Sequence, residues 1–133
     1  MSGGMLVLPW LLPFLLVRCW AVTAEPIRAV DGDTIDARLA THLGRATDDR
    51  DTPGDERVQQ TPERIRLLAV DAPERGQAGY EAARNFTGAW IARGPFTVAY
   101  CARDSFGRLL ATVTRDTDDL GDALLKAGHA VPR

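Results

Sequence analysis

Residues 65–74 read Ile65-Arg66-Leu67-Leu68-Ala69-Val70-Asp71-Ala72-Pro73-Glu74. Ile65, Leu67 and Ala69 alternate with Arg66, Leu68 and Val70, so a strand from Ile65 to Val70 carries apolar side chains on both faces. That pattern suits a barrel strand that is covered outside as well as packed inside. Ala72-Pro73 ends the strand, because Pro73 has no N–H to give to a ladder. Arg66 and Asp71 are five residues apart and would face opposite sides of a regular strand. They can meet only if the strand bends or ends by Val70.

On the N-terminal side, Ile27 to Val30 and Ile35 to Leu39 are short strand candidates joined by Asp31-Gly32-Asp33-Thr34, a turn in which Gly32 is expected at positive φ. Ala40 to Glu63 is acidic, broken by Pro and Gly and poor in apolar residues, so it reads as a long mobile loop insertion. Within it, Asp49 to Gly54 only superficially resembles a calcium loop, since Pro53 occupies a ligand place and Gln60 stands where a bidentate Glu is needed.

On the C-terminal side, Gly79 to Ala92 is a helix with Ala82, Ala83, Phe86, Ala89 and Trp90 at helical spacing, closed by Gly94 and Pro95. Phe96 to Tyr100 and Leu109 to Thr114 return to strand chemistry. A last helix starts near Asp119, with Leu120, Ala123, Leu124 and Ala127 on its apolar face and Gly128 as its stop. Five strands and two short helices make a mainly β (α+β) chain, expected as a Greek-key barrel of the OB type.

The 133 residues, 45% hydrophobic and 26% charged, suffice for one domain with a modest core. The formal net charge of −2 excludes a broad basic surface, so any phosphate site must be local. Met5 to Val17 is an uncharged apolar run broken by Pro9 and Pro13, the length of a signal-peptide core rather than a membrane span. Val22-Thr23-Ala24 resembles an export cleavage site. Residues 1–24 are therefore expected to be a signal peptide and 25–133 the domain, secreted or periplasmic; an uncleaved membrane anchor is the alternative. Cleavage there removes Cys19 and leaves Cys101 alone, without an internal disulfide.

Three segments carry polar residues that a barrel does not need for packing: Asp31-Gly32-Asp33-Thr34, Arg66 to Glu74, and Asp104-Ser105-Phe106-Gly107-Arg108. Singly, each is an ordinary turn, strand or loop. Together and in this order, from about Ile27 to Ala130, they resemble the staphylococcal nuclease (thermonuclease) family, and Leu120 to Gly128 resembles its second helix. The resemblance implies that Asp33, Asp71 and the carbonyl of Ala72 ligate Ca²⁺, with Asp31 and Thr34 supporting that loop. It also implies that Glu74 is the candidate general base and that Arg66 and Arg108 bind phosphate. Asp104 lies in the Arg108 loop, and Phe106 stands at a tyrosine-like place, where its ring can stack on a base. The family pattern continues into a third C-terminal helix that these 133 residues do not include, so a barrel with two helices is expected.

The chemistry of phosphodiester cleavage asks for the same set. A hard cation and planar donors must neutralise charge gathering on the phosphorus oxygens, and arginine offers a bidentate fork that lysine lacks. Oxygen-only ligation suits Ca²⁺, with Mg²⁺ second, whereas Zn²⁺ would draw on His and Cys. The expectation is a Ca²⁺-dependent nuclease acting as a monomer on DNA or RNA, with single strands preferred and 3′-phosphate products. The main alternative is a non-catalytic OB-fold module binding nucleic acid or protein. A serine or cysteine hydrolase is disfavoured, because Ser2 and Ser105 are the only serines and no G-x-S-x-G occurs.

Overall fold

A computed structural model describes residues 18–42 and 58–133. Strands β1 (Trp20–Asp31), β2 (Thr34–His42) and β3 (Val58–Leu67) run as an antiparallel meander. They are followed by the short β4 (Val70–Asp71), helix α1 (Tyr80–Ala92), β5 (Phe96–Arg103) and β6 (Leu109–Arg115). The chain then forms β7 (Asp118–Asp119), helix α2 (Leu120–Lys126) and β8 (Val131–Pro132). Parallel pairing of β3 with β6, Ile65 opposite Leu109, closes the ring β1-β2-β3-β6-β5 into a five-stranded OB-type barrel. Pairing on both edges of β3 is confined to its end at Ile65, Arg66 and Leu67, while its residues 58–64 pair with β2 alone among the described residues.

β1 serves two neighbours. Its first half, Trp20 to Ala24, pairs with β5, and Ala24 to Asp31 pairs with β2, with register shifts between Pro26 and Arg28 and between Ala29 and Asp31. Such bulges bend a strand around a barrel corner. Residues 20–24, placed by the sequence reading in an export segment, are thus part of the barrel wall, and Ala24 is buried. Cys101 is not alone either, because it forms a disulfide with Cys19. Residues 1–17 lie outside the described residues.

The expected loop from Ala40 to Glu63 is shorter than its polarity suggests. β2 continues to His42 and β3 starts at Val58, with Leu39 opposite Thr61 and Arg38 opposite Pro62. Ladder pairing with β2, which is anchored by buried Ala37 and Leu39, holds residues 60–63 in strand although none of these four is itself buried. The remainder, residues 43–57, including the calcium-loop lookalike, lies outside the described residues.

Ile35, Ala37 and Leu39 of β2, Ile65 and Leu67 of β3, and Leu109, Ala111 and Val113 of β6 fill the interior together with Leu120 and Leu124 of α2. Each large side chain buried this way contributes about 1.5–3 kcal/mol. On α1 the inward stripe is Tyr80, Ala83, Thr87, Trp90 and Ile91, while Ala82 and Ala89, expected inside, are exposed. Two polar residues share the inner face because each has a partner there. Tyr80 Oη donates to the Val30 carbonyl at 3.0 Å, and Thr87 Oγ1 donates to the Gly32 carbonyl at 2.6 Å.

Candidate active site

The turn between β1 and β2 is set by a close approach. A Cβ on Gly32 would lie 2.8 Å from Ala72 Cβ and 2.8 Å from Ala83 Cβ, so only glycine fits between the Ala72 segment and α1. Positive φ, expected from the sequence, is not what Gly32 supplies. With Thr87 and Tyr80 gripping the carbonyls on either side, α1 holds the turn from behind and turns Asp33 inward. Asp33 is buried. Its Oδ2 accepts from the Ala72 N–H at 2.8 Å, its Oδ1 accepts from Thr34 Oγ1 at 3.1 Å, and its carbonyl accepts from the Leu67 N–H at 2.9 Å. Asp31 lies at the end of β1, paired with Thr34 in the ladder.

Arg66 and Asp71 meet because the strand stops at Leu67, not at Val70. Leu68 and Ala69 form a turn with Ala69 at φ 63°, in the left-handed region, where a non-glycine residue costs roughly 1–2 kcal/mol. Hydrogen bonds on both sides offset that cost. Arg66 Nη1 donates to the Leu67 carbonyl at 2.9 Å and to the Val70 carbonyl at 2.7 Å, and the Arg133 N–H donates to the Ala69 carbonyl at 2.9 Å. The turn leaves Leu68 exposed, where an unbroken strand would have covered it. It reverses the chain so that Asp71 Oδ1 contacts Arg66 Nη2, which also lies 3.4 Å from Asp33 Oδ2. One guanidinium therefore bridges two carboxylates from different segments. Within this cluster the Arg66 and Asp33 side chains are 7% and 10% exposed and that of Asp71 is 47% exposed, so the opening to solvent is at Asp71. β8 braces it, with Asp71 opposite Val131.

Arg108 is held locally. Asp104 Oδ1 accepts from the N–H groups of Phe106 and Arg108, both at 2.9 Å, and Oδ2 accepts from Arg108 Nε at 2.6 Å. Burial alone would raise the Asp104 pKa, but the Arg108 guanidinium and these N–H groups outweigh it and hold the carboxyl below its usual range. Phe106 is 84% exposed, with the Arg108 guanidinium 5.5 Å from its ring centre. A groove of about 270 Å³ runs between Leu67, Leu68 and Ala69 on one wall and Phe106 and Arg108 on the other. Among the described residues no hydrogen bond or ion pair joins Arg108 to Asp33, Arg66 or Asp71.

Glu74 is exposed, and what orders it is its backbone, whose N–H donates to Gln77 Oε1 at 2.7 Å. Its carboxylate makes no hydrogen bond to Asp33, Arg66 or Asp71 among the described residues. The structure thus gathers Asp33, Thr34, Arg66, Asp71 and the Ala72 backbone, sets Arg108, Phe106 and Asp104 in a groove lined also by Leu67, Leu68 and Ala69, and leaves Glu74 exposed and outside the cluster. Sequence reasoning missed Tyr80, Thr87 and Gln77. The signal for Thr87 was its place on the same helical face as Ala83 and Trp90.

Residues 64–132 match the family described as staphylococcal nuclease homologue. The chain belongs to this family. The match runs from β3 through β8 and contains Arg66, Asp71, Ala72, Glu74, Asp104, Phe106 and Arg108, while Asp33 lies ahead of it. The chain is also 34% identical over 95 residues to Protein ParB of Escherichia coli, an alignment covering 71% of this chain and 43% of that protein. It therefore spans less than half the length of this relative. Membership of the staphylococcal nuclease homologues supports a nuclease-like or nucleic-acid-binding function.

Proposed function

We propose that the protein is a Ca²⁺-dependent nuclease that hydrolyses phosphodiester bonds of DNA or RNA, with single strands preferred and 3′-phosphate products. The observation that carries this reading is the bridge from Arg66 to Asp33 and Asp71, which opens to solvent at Asp71, with Arg108 held in a separate groove beside Leu67, Leu68 and Ala69. Asp33, Asp71 and the Ala72 carbonyl form an all-oxygen donor set, which suits Ca²⁺ before Mg²⁺. No group of three or more His, Cys, Asp or Glu side chains converges among the described residues, so water and phosphate would supply the remaining ligands. When bound, the cation would supply positive charge at the phosphate and acidify water.

The protein's own groups then have separate tasks. Arg66 is anchored through Nη1 to two carbonyls, leaving Nη2, and the unanchored Nε, to turn to a phosphate once the carboxylates are engaged elsewhere. Arg108, oriented by Asp104 through Nε, offers its terminal nitrogens to the groove. Both would stabilise charge developing on the nonbridging oxygens. Glu74, exposed three residues after Asp71, is available to accept a proton from the attacking water or to order it. Phe106 offers an exposed face to an unpaired base, which a flexible single strand presents more readily than a duplex.

The second reading, a non-catalytic OB-fold module, is favoured by both terminal nitrogens of Arg66 being engaged within the protein and by Glu74 standing apart from the cluster. One experiment separates the two. Purified protein is incubated with plasmid DNA and with RNA, first with Ca²⁺ and then with excess chelator. Cleavage abolished by chelation is the expected result. Binding without cleavage supports the module, and full activity after exhaustive chelation sinks the metal assignment.

A further inference from the structure

The N-terminal half of β1 bears on how the protein matures. Trp20, Ala21, Val22, Thr23 and Ala24 lie opposite Tyr100, Ala99, Val98, Thr97 and Phe96. In that register the next position places Cys19 directly across from Cys101, and the two are bonded. Cys101 sits at the register shift between Tyr100 and Ala102 in the β5–β6 ladder, so it is released from pairing on its other side. Trp20 stacks on Tyr100 with ring centres 5.5 Å apart, and Ala24 is 1% exposed inside the core. Cutting after Ala24 would remove every pair between β1 and β5, unstack Tyr100 and open the barrel along one seam.

We infer that the folded domain begins at Cys19, that any processing leaving a folded protein cuts on the N-terminal side of Cys19, and that the mature protein carries the Cys19–Cys101 disulfide. Forming the bond takes two electrons and two protons from the thiols. They pass to a disulfide oxidant of the kind that acts in a periplasm or secretory lumen, so the chain matures in an oxidising compartment. The bond closes a loop with a sequence separation of 82, and loops of that length restrict the unfolded chain strongly. Cys101 also lies three residues before Asp104, so the staple secures the end of β5 that leads into the Arg108 loop. This inference is independent of whether the protein cleaves nucleic acid.

The test counts thiols in the full chain, expressed in a bacterial host with its native N-terminus and purified folded. Expected is an N-terminal sequence that includes Cys19, no thiol alkylated before reduction and two afterwards. One thiol both before and after reduction, the result of cleavage after Ala24, overturns the inference, as do two thiols in untreated protein. Cys101→Ser supplies a second reading that does not depend on the bond: one thiol, from Cys19, is expected, and none means that Cys19 has been removed. Reduction of the wild type should lower its melting temperature by on the order of 10 °C or more. An unchanged melting curve in fully reduced protein would show that the bond staples nothing.

Discussion

Arg66 and Arg108 each meet a carboxylate, but under opposite conditions. The Arg66 side chain is 7% exposed and draws on the β1–β2 turn, the Leu68-Ala69 turn and β4. That of Arg108 is 30% exposed, and its partner Asp104 lies four residues away in the same loop. The first pair exists only when three segments are assembled. The second is made by a turn that its own sequence can form. A buried, multiply bonded charge cannot lose a partner without leaving others unsatisfied, whereas a half-buried local pair at the surface can fall back on water. The same residue type is thus a keystone of the fold at position 66 and dispensable to the fold, though not to the site, at position 108.

Arg66→Ala should break this comparison most forcefully. It leaves Asp33 buried without its cation and frees two carbonyls, at a cost of about 3–5 kcal/mol in chemical denaturation. The buried network therefore predicts a loss of stability together with the loss of turnover expected of a phosphate-binding arginine. A destabilisation below about 1 kcal/mol would place Arg66 with the surface pairs.

Arg108→Ala should do the reverse, lowering turnover by about 10²- to 10³-fold while costing less than about 1 kcal/mol in stability. Arg108→Lys should not restore activity, since a point charge does not reproduce the planar fork. Kinetics and melting curves on the same preparations decide it, and wild-type turnover in a folded Arg108→Ala protein would remove Arg108 from the site.

Gly32→Ala probes how the Arg66 cluster depends on its frame without touching a charge. The added methyl meets Ala72 and Ala83 and should cost about 1–3 kcal/mol while pushing Asp33 away from the Ala72 N–H. Calcium titration of the folded variant should then show weakened binding. A wild-type melting curve would mean that the turn relaxes freely.

The smallest effect is a pH dependence at Asp104. Its carboxyl is depressed in the folded state, so its stabilisation is fully present above the unfolded value, about 3.9, and is lost as pH falls through the folded value. Asp104→Asn should therefore be less stable than the wild type near neutrality, and the gap should narrow below about pH 4. A gap that persists unchanged at low pH would show that hydrogen bonding other than to the carboxylate holds the loop.

Legibility in the sequence followed whether a signal was local. α1 ends where Gly94 and Pro95 said it would, and α2 starts at its capping residue Asp119, whose side chain accepts from the Asp122 N–H. Ala83 and Trp90 lie on the inner face of α1 as their spacing suggests, but Tyr80 and Thr87 join them there through carbonyls 50 and 55 residues away, which no local signal marks. The flanks of the polar insertion read as loop in the sequence because no apolar alternation marks them, whereas the structure pairs them in the β2–β3 ladder. Trp20 to Ala24 falls in the expected leader because Val22-Thr23-Ala24, after the apolar run Met5 to Val17, resembles a cleavage site, whereas the structure pairs it with β5.

By itself, the sequence determined the kind of molecule: a small barrel with two short helices and three polar segments whose residue types suit a hard cation and a phosphate. Periodicity, caps and breakers act over a few residues, and residue chemistry needs no fold to be read. The tertiary structure alone decided that Leu68 and Ala69 turn the chain so that Asp71 reaches Arg66, that β8 braces that turn, and that β1 begins beside Cys19. Each of these is a pairing between distant segments, and the energy that selects it, whether a ladder, a buried ion pair or a close-packed methyl, exists only once both partners are in place.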